Sequence, residues 1–326
     1  MQKVIFIHSA AIDDFVSTAV LSQMSNIEIQ CVLVINADCI AQPAMDVTSR
    51  VNQFLGVTAP IGLSTARGFN AFPWGYRSDC IRMGNIDALS NYESNWNVNM
   101  PSAETLLLNA LTNTTEKVTV LCTGPITTLT SVLEDNPDLI EKVGDVIWMA
   151  GAVNVDGNLD GGDPVTTPMK IPTVIANKYA EWNVFFDPFA SATLFQMFSN
   201  VKLFPLDITN KAKITKDFKA RLASQAKTWP NSEFALQAYA LVSDEPFYEM
   251  WNTCATVWLG QQSGIFDNPQ QSQLSVDTWG NDIQGRITSA NNPPDTNEQD
   301  VYVDFSDINN FYDYVLQLLC SPIIVD

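Results

Sequence analysis

Five continuous apolar runs of strand length set the tightest limit on the fold: VIFI (4–7), IQCVLVI (29–35), VTVLC (118–122), DVIWMA (145–150) and VKLFPL (201–206). Runs without polar alternation suit strands buried on both faces, as in a parallel sheet covered by helices. Helical stretches lie between them. DDFVSTAVLSQMS follows the first run, with Asp13 and Asp14 in its first turn, where negative charge suits the helix dipole. SAETLLLNALTN precedes the third run and TTLTSVLEDNP follows it, closing near Pro137. The alternation predicts a single α/β domain over residues 1–326, its mostly parallel central sheet flanked by helices. Ligands in such sheets gather at the carboxyl ends of strands.

Elsewhere the pattern is less regular. Residues 154–178 hold three Gly and three Pro with little periodicity and read as a long loop. Residues 214–260 read as mainly helical. The tail alternates short strand-like pieces (RITSA, DVYVDF) with turns and ends in a helix, INNFYDYVLQLLC. No repeat, low-complexity tract or linker divides the chain.

Charge then narrows the partners. Lys+Arg of 17 against Asp+Glu of 36 gives a net charge of −19, with only 16% charged residues against roughly 25% in ordinary soluble domains. An acidic, weakly charged surface repels phosphate backbones and anionic lipid, so the reading excludes nucleic-acid and membrane partners. Such a surface also suits self-association. The six cysteines show no CxxC pair, and with one histidine in the chain a zinc or iron site is not expected. Buried reduced thiols, a first strand starting at about residue 3 and no apolar run near ~18 residues point to a cytoplasmic protein.

Six punctuated sites fall at predicted strand ends or loops: IDDF (12–15), NADC (36–39), CTGPITTL (122–129), MAGAVNVDGN (149–158), AEWN (180–183) and MWNT (250–253). In this order they resemble the nucleoside hydrolases, most closely the purine-preferring branch, over nearly the whole chain. The resemblance implies hydrolysis of the N-glycosidic bond of ribonucleosides. In the family a calcium ion holds the ribose hydroxyls and a water, and an aspartate takes the water's proton. It also implies a homo-oligomer, since the family is commonly dimeric or tetrameric. The chemistry needs a hard cation with oxygen ligands and a carboxylate within reach of the water.

The family's opening motif, Asp-x-Asp-x-x-x-Asp-Asp, aligns on this chain with Ile7 at the first aspartate and Ser9 at the second, the general base. The late aspartate falls on Asn252. Asp14, Thr123 and Asn252 are left as a degenerate metal set. Losing two carboxylates removes most of the ligand charge, and a single charge pair near 4 Å is worth ~4 kcal/mol at an effective dielectric of 20. The expectation is a pseudoenzyme with no intact catalytic residue, and no cofactor unless calcium still binds the degenerate site. The alternative is an active calcium-dependent purine nucleoside N-ribohydrolase. The same resemblance assigns vestigial substrate contacts to Asp13, Asp38, Tyr76 (with Trp74 as rival), Asn158, Glu181, Asn183 and Trp251. It leaves a structural or self-assembly role and nucleoside binding both open. His8 is read as a satisfied structural histidine, turned away from the Ile7/Ser9 face by strand alternation.

Overall fold

The computed structural model describes residues 1–37, 39–72, 77–159, 177–245, 247–289 and 296–320. Among the described residues nine strands form one sheet. They are β1 (Gln2–His8), β2 (Ile27–Asn36), β3 (Ile61–Arg67), β4 (Val118–Cys122) and β5 (Val143–Met149). β6 (Lys202–Phe204), β7 (Gln270–Val276), β8 (Ile287–Ser289) and β9 (Glu298–Val301) complete it. The order is β3-β2-β1-β4-β5-β6-β9-β7-β8. The first seven in that order pair parallel; β7 and β8 add an antiparallel hairpin at one edge.

The expected α/β architecture is therefore present. Each apolar run lies on a strand, though VKLFPL yields only three strand residues: Pro205 has no N–H to give the ladder, and a short helix, Leu206–Thr209, starts behind it. β3 and β7 escape the apolar-run criterion because IGLSTAR and QQSQLSV mix small and polar residues with few branched ones.

Strand alternation divides the core. Val4 and Phe6 of β1 face a layer built with Phe15, Val20, Met45, Tyr239 and Phe311, while Ile5 and Ile7 face Leu107, Cys122, Leu129, Trp148 and Phe195. Both faces of β1 are dry, which is why its sequence shows no polar alternation. Helices Ile12–Ser22, Ala41–Leu55, Pro230–Ala240, Trp251–Val257 and Ile308–Leu319 cover the first face. Helices Ala103–Thr112, Thr127–Asp135 and Pro188–Met197 cover the second.

The strand order reverses between β1 and β4, which places a crevice at their carboxyl ends. Ser9 to Asp14 and Thr123 meet there. Of the long loop expected over 154–178, residues 160–176 lie outside the described residues; its two ends are pinned by the Leu159–Asn177 bridge. Beside that bridge only glycine fits at 157, since a Cβ there would stand 2.1 Å from the Ala180 carbonyl oxygen. Among the described residues no helix is long and apolar enough to cross a membrane. Cys31, Cys39, Cys80, Cys122 and Cys254 are buried free thiols, and Cys320 is partly buried.

Candidate functional site

β1 ends at His8, and the chain then turns sharply through Ser9, Ala10 and Ala11 into the helix Ile12–Ser22. Ala10 takes a left-handed conformation with φ of 65°, uncommon for a residue bearing a Cβ. That turn aims three donors at one carboxylate oxygen. Oδ2 of Asp14 accepts from Ser9 N at 3.2 Å, from Ser9 Oγ at 3.2 Å and from Ala11 N at 2.9 Å. Ala11, at the helix N-cap, offers no side-chain oxygen to the first turn. Asp14 instead reaches back to the Ala11 N–H, one half of a capping box.

Oδ1 of Asp14 is equally occupied, accepting from Thr123 Oγ1 at 2.6 Å and Asn252 Nδ2 at 2.7 Å. Thr123 thus meets Asp14 with its hydroxyl. Its carbonyl oxygen lies 3.5 Å from Asn183 Nδ2, a marginal contact beside the 2.9 Å bond that the same amide gives Met149 O. Burial is the main cause that lifts Asp14 from the ordinary 3.8 to about 7; its donors pull the other way and the neighbouring Asp13 charge adds to the rise.

Asp13 does not face the crevice as an open carboxylate. Its Oδ2 accepts from Asn252 N at 2.7 Å and Thr253 N at 2.8 Å, the opening amides of the helix Trp251–Val257. Its Oδ1 accepts from Tyr239 Oη at 2.6 Å and Thr253 Oγ1 at 2.8 Å. With no exposed surface and four donors, Asp13 bolts the first helix to two others, Pro230–Ala240 and Trp251–Val257. Burial raises its pKa against the pull of those bonds. Burial and the Asp13 charge likewise raise Tyr239 well above the ordinary phenol value, so it stays protonated and donates.

The remaining assigned contacts are spent on the protein itself. Glu181 is buried, and its Oε2 accepts from Gly151 N at 2.8 Å and Asn183 N at 3.0 Å. Asn158 is exposed, with Oδ1 receiving Trp182 N at 3.2 Å. Trp251 is partly buried against Tyr248 and donates its indole N–H to Asn210 Oδ1 at 3.2 Å. Asp38, Trp74 and Tyr76 lie outside the described residues. The structure therefore brings Ser9, Asp13, Asp14, Thr123, Asn183 and Asn252 together. Sequence reasoning missed Tyr239 and Thr253. Thr253 stood inside the MWNT motif, whereas Tyr239 lies in an apolar helical stretch that carries no signal of its partner.

His8 corrects one expectation in part. Its ring packs on Phe6 and Phe15, in the layer opposite Ile7, and Nδ1 accepts from Ala10 N at 3.1 Å. Nε2, however, is buried without a hydrogen-bond partner among the described residues, so the histidine is only half satisfied. Burial lowers its pKa to about 3 and keeps it neutral.

Calcium takes about 6–8 oxygen ligands, and every one must turn a lone pair to the ion. The groups converging on Asp14 are the reverse: two backbone N–H, two hydroxyls donating and one amide NH2. Among the described residues no group of three or more His, Cys, Asp and Glu is placed to hold a metal. The residues present do not fit the ion that the family resemblance implies.

Three carboxyls share a shift with a consequence for stability. Burial pushes Asp14, Glu181 and Glu249 up to about 7 from ordinary values of 3.8, 4.5 and 4.5. The folded chain then holds more protons than the unfolded chain between those limits. Their contribution is complete below the unfolded values and disappears as pH rises through about 7. The expected result is a melting temperature that falls between about pH 5 and pH 8, with a shallower fall in Glu181→Gln, read by scanning calorimetry across that range.

The sequence profile described as inosine-uridine preferring nucleoside hydrolase matches residues 4–313. A solved inosine-uridine preferring nucleoside hydrolase from Bacillus anthracis is 30% identical, and the superposition covers 98% of this chain and 99% of that one with a TM-score of 0.85. Among curated proteins, the non-specific ribonucleoside hydrolase RihC of Salmonella agona is 26% identical over 185 residues, 55% of each chain. Nucleoside hydrolase 3 of Arabidopsis thaliana is 31% identical over 122 residues, which are 37% of this chain and 13% of that protein. The chain spans about half or less of these curated relatives.

Proposed function

We propose that this chain, which belongs to the inosine-uridine preferring nucleoside hydrolase family and has its α/β fold, no longer hydrolyses nucleosides and serves as a self-assembling structural protein. The observation that carries this reading is the saturation of Asp14 by five protein donors. A carboxyl lifted to about 7 suits a general base in its value alone. Its lone pairs are nevertheless held by Ser9, Ala11, Thr123 and Asn252. Hydrogen bonds to a charged acceptor are worth about 1.5–3 kcal/mol each, so clearing two of them for an ion or a water costs several kcal/mol. Ser9, at the position of the family's base, carries a hydroxyl that stays protonated near neutral pH.

The commitment of Asp13, Glu181 and Asn183 to internal bonds favours a structural role over nucleoside binding. Family membership supports a homo-oligomer, and a chain with only 16% charged residues has few charges to desolvate on assembling.

The test is release of free base from inosine, adenosine and guanosine, with and without calcium. We expect no release above that of Asp14→Ala under either condition, and large ordered particles by light scattering at micromolar chain concentration. Calcium-dependent turnover that Asp14→Ala abolishes would overturn the proposal in favour of an active calcium-dependent purine nucleoside N-ribohydrolase. Monomers whose melting temperature rises with added nucleoside would replace the structural role with a binding one.

A further inference from the structure

Cys39 and Cys80 lie 41 positions apart, yet the fold sets their side chains beside each other, next to the turn at Ala10. The Cys39–Arg77 bridge sets the two chain segments side by side as parallel neighbours, at about 4.8 Å. The helix Asp79–Met83 then starts and turns Cys80 back toward the end of β2. Cys80 Sγ donates to the Ile40 carbonyl oxygen at 3.8 Å, next along the chain from Cys39, and the Cys80 thiol interacts with the Cys39 side chain. Cys39 Sγ also donates to Ala10 O at 3.3 Å, so the pair is tied to the left-handed residue of the turn.

We propose that Cys39 and Cys80 form a reversible disulfide, a redox-modification site that controls the turn between β1 and the first helix. Side chains on such neighbouring segments close to a sulfur–sulfur distance of about 2.05 Å when the bond forms. Cys39 is 9% exposed and Cys80 is 0% exposed, so a small peroxide meets Cys39 first. The Cys39 thiolate attacks a peroxide oxygen, the O–O bond breaks, and the departing hydroxide takes up the thiol's proton as water. The Cys80 thiolate attacks the resulting sulfenic sulfur, the S–O bond breaks, and a second water leaves. Two thiols lose two electrons and two protons, and hydrogen peroxide is reduced to two waters. The neighbouring Cys39 side chain holds the Cys80 thiol below its ordinary value, against burial, which favours the second step.

Oxidation removes the S–H that Cys39 gives to Ala10. The Ala10 carbonyl then has no thiol donor, and the turn that aims Ser9 and Ala11 at Asp14 loses one of its ties. Reduction restores it. This switch is independent of whether the site hydrolyses anything.

The experiment treats the full chain with hydrogen peroxide, digests it without reductant and maps the peptides by mass spectrometry. The same samples go through backbone hydrogen exchange. The expected result is a peptide pair joining residues 39 and 80, lighter by two hydrogens, cleaved by dithiothreitol and absent from Cys39→Ser and Cys80→Ser. Exchange at residues 9–14 rises several-fold after oxidation and returns on reduction. Unlinked peptides, irreversible oxidation of Cys39 alone, or unchanged exchange in the linked protein would each overturn the proposal. The mapping on the unaltered chain decides even if a serine variant fails to fold.

Discussion

Asp13→Ala lowers the unfolding free energy by about 3–5 kcal/mol, the largest loss expected from any single polar side chain here. Four donors lose their acceptor at once: the amides of Asn252 and Thr253 and the hydroxyls of Tyr239 and Thr253. All four are buried away from water, and each orphaned group costs about 1–3 kcal/mol before relaxation. Asp13→Asn separates charge from geometry. Its carbonyl oxygen can keep the two backbone amides, and its NH2 can face the two hydroxyls, which rotate to accept. The asparagine variant is expected to lose less than half as much. Urea melts with an unchanged m-value measure both. Equal loss in the two variants would mean that the carboxylate's charge, not its acceptor count, holds the three helices together.

Restoring the family's charges should make stability calcium-dependent. Ile7→Asp, Ser9→Asp and Asn252→Asp together put three acids beside Asp13 and Asp14, whose hydrogen-bond partners are hydroxyls and amides rather than basic groups. Two charges near 4 Å repel by ~4 kcal/mol at an effective dielectric of 20, so the variant without metal is expected to melt far below the parent. Calcium should then raise its melting temperature in a concentration-dependent way, about 2.7 kcal/mol at a hundredfold excess over its dissociation constant, while the parent shows no change. Ile7 is completely buried among Leu33, Cys122 and Trp148, so its replacement carries a packing cost of its own. The pair Ser9→Asp and Asn252→Asp tests the charges without that cost. A variant that calcium fails to stabilise would place the block elsewhere, in the backbone of the turn.

The sequence made the parallel sheet legible because β1, β2, β4 and β5 are dry on both faces and therefore read as unbroken apolar runs. β3 and β7 were not legible, since an edge strand and a hairpin strand accept small and polar residues that leave no such run. At the site, the family resemblance assigned Ser9, Asp14, Thr123 and Asn252 to one metal and base centre, and hydrogen bonds to Asp14 join the four. It could not tell a ligand from a tether. Asp13 and Glu181 look the same in a sequence whether they hold a sugar or a helix, because the distinction rests on Tyr239, Thr253 and Gly151, partners far away along the chain.

The Asp13 bolt also dictates the order in which the chain can mature. Its partners at Asn252 and Thr253 are 239 and 240 positions downstream. At ribosomal speeds of about 5–20 residues per second, they emerge about 12–50 s after Asp13 itself. Until then the opening strand and helix carry two carboxylates that must stay hydrated, so that unit cannot close its inner face. Native packing of the first fifteen residues thus waits for residues 252 and 253, and a nascent chain stalled before them would present a sticky, half-finished β1 to any chaperone in reach.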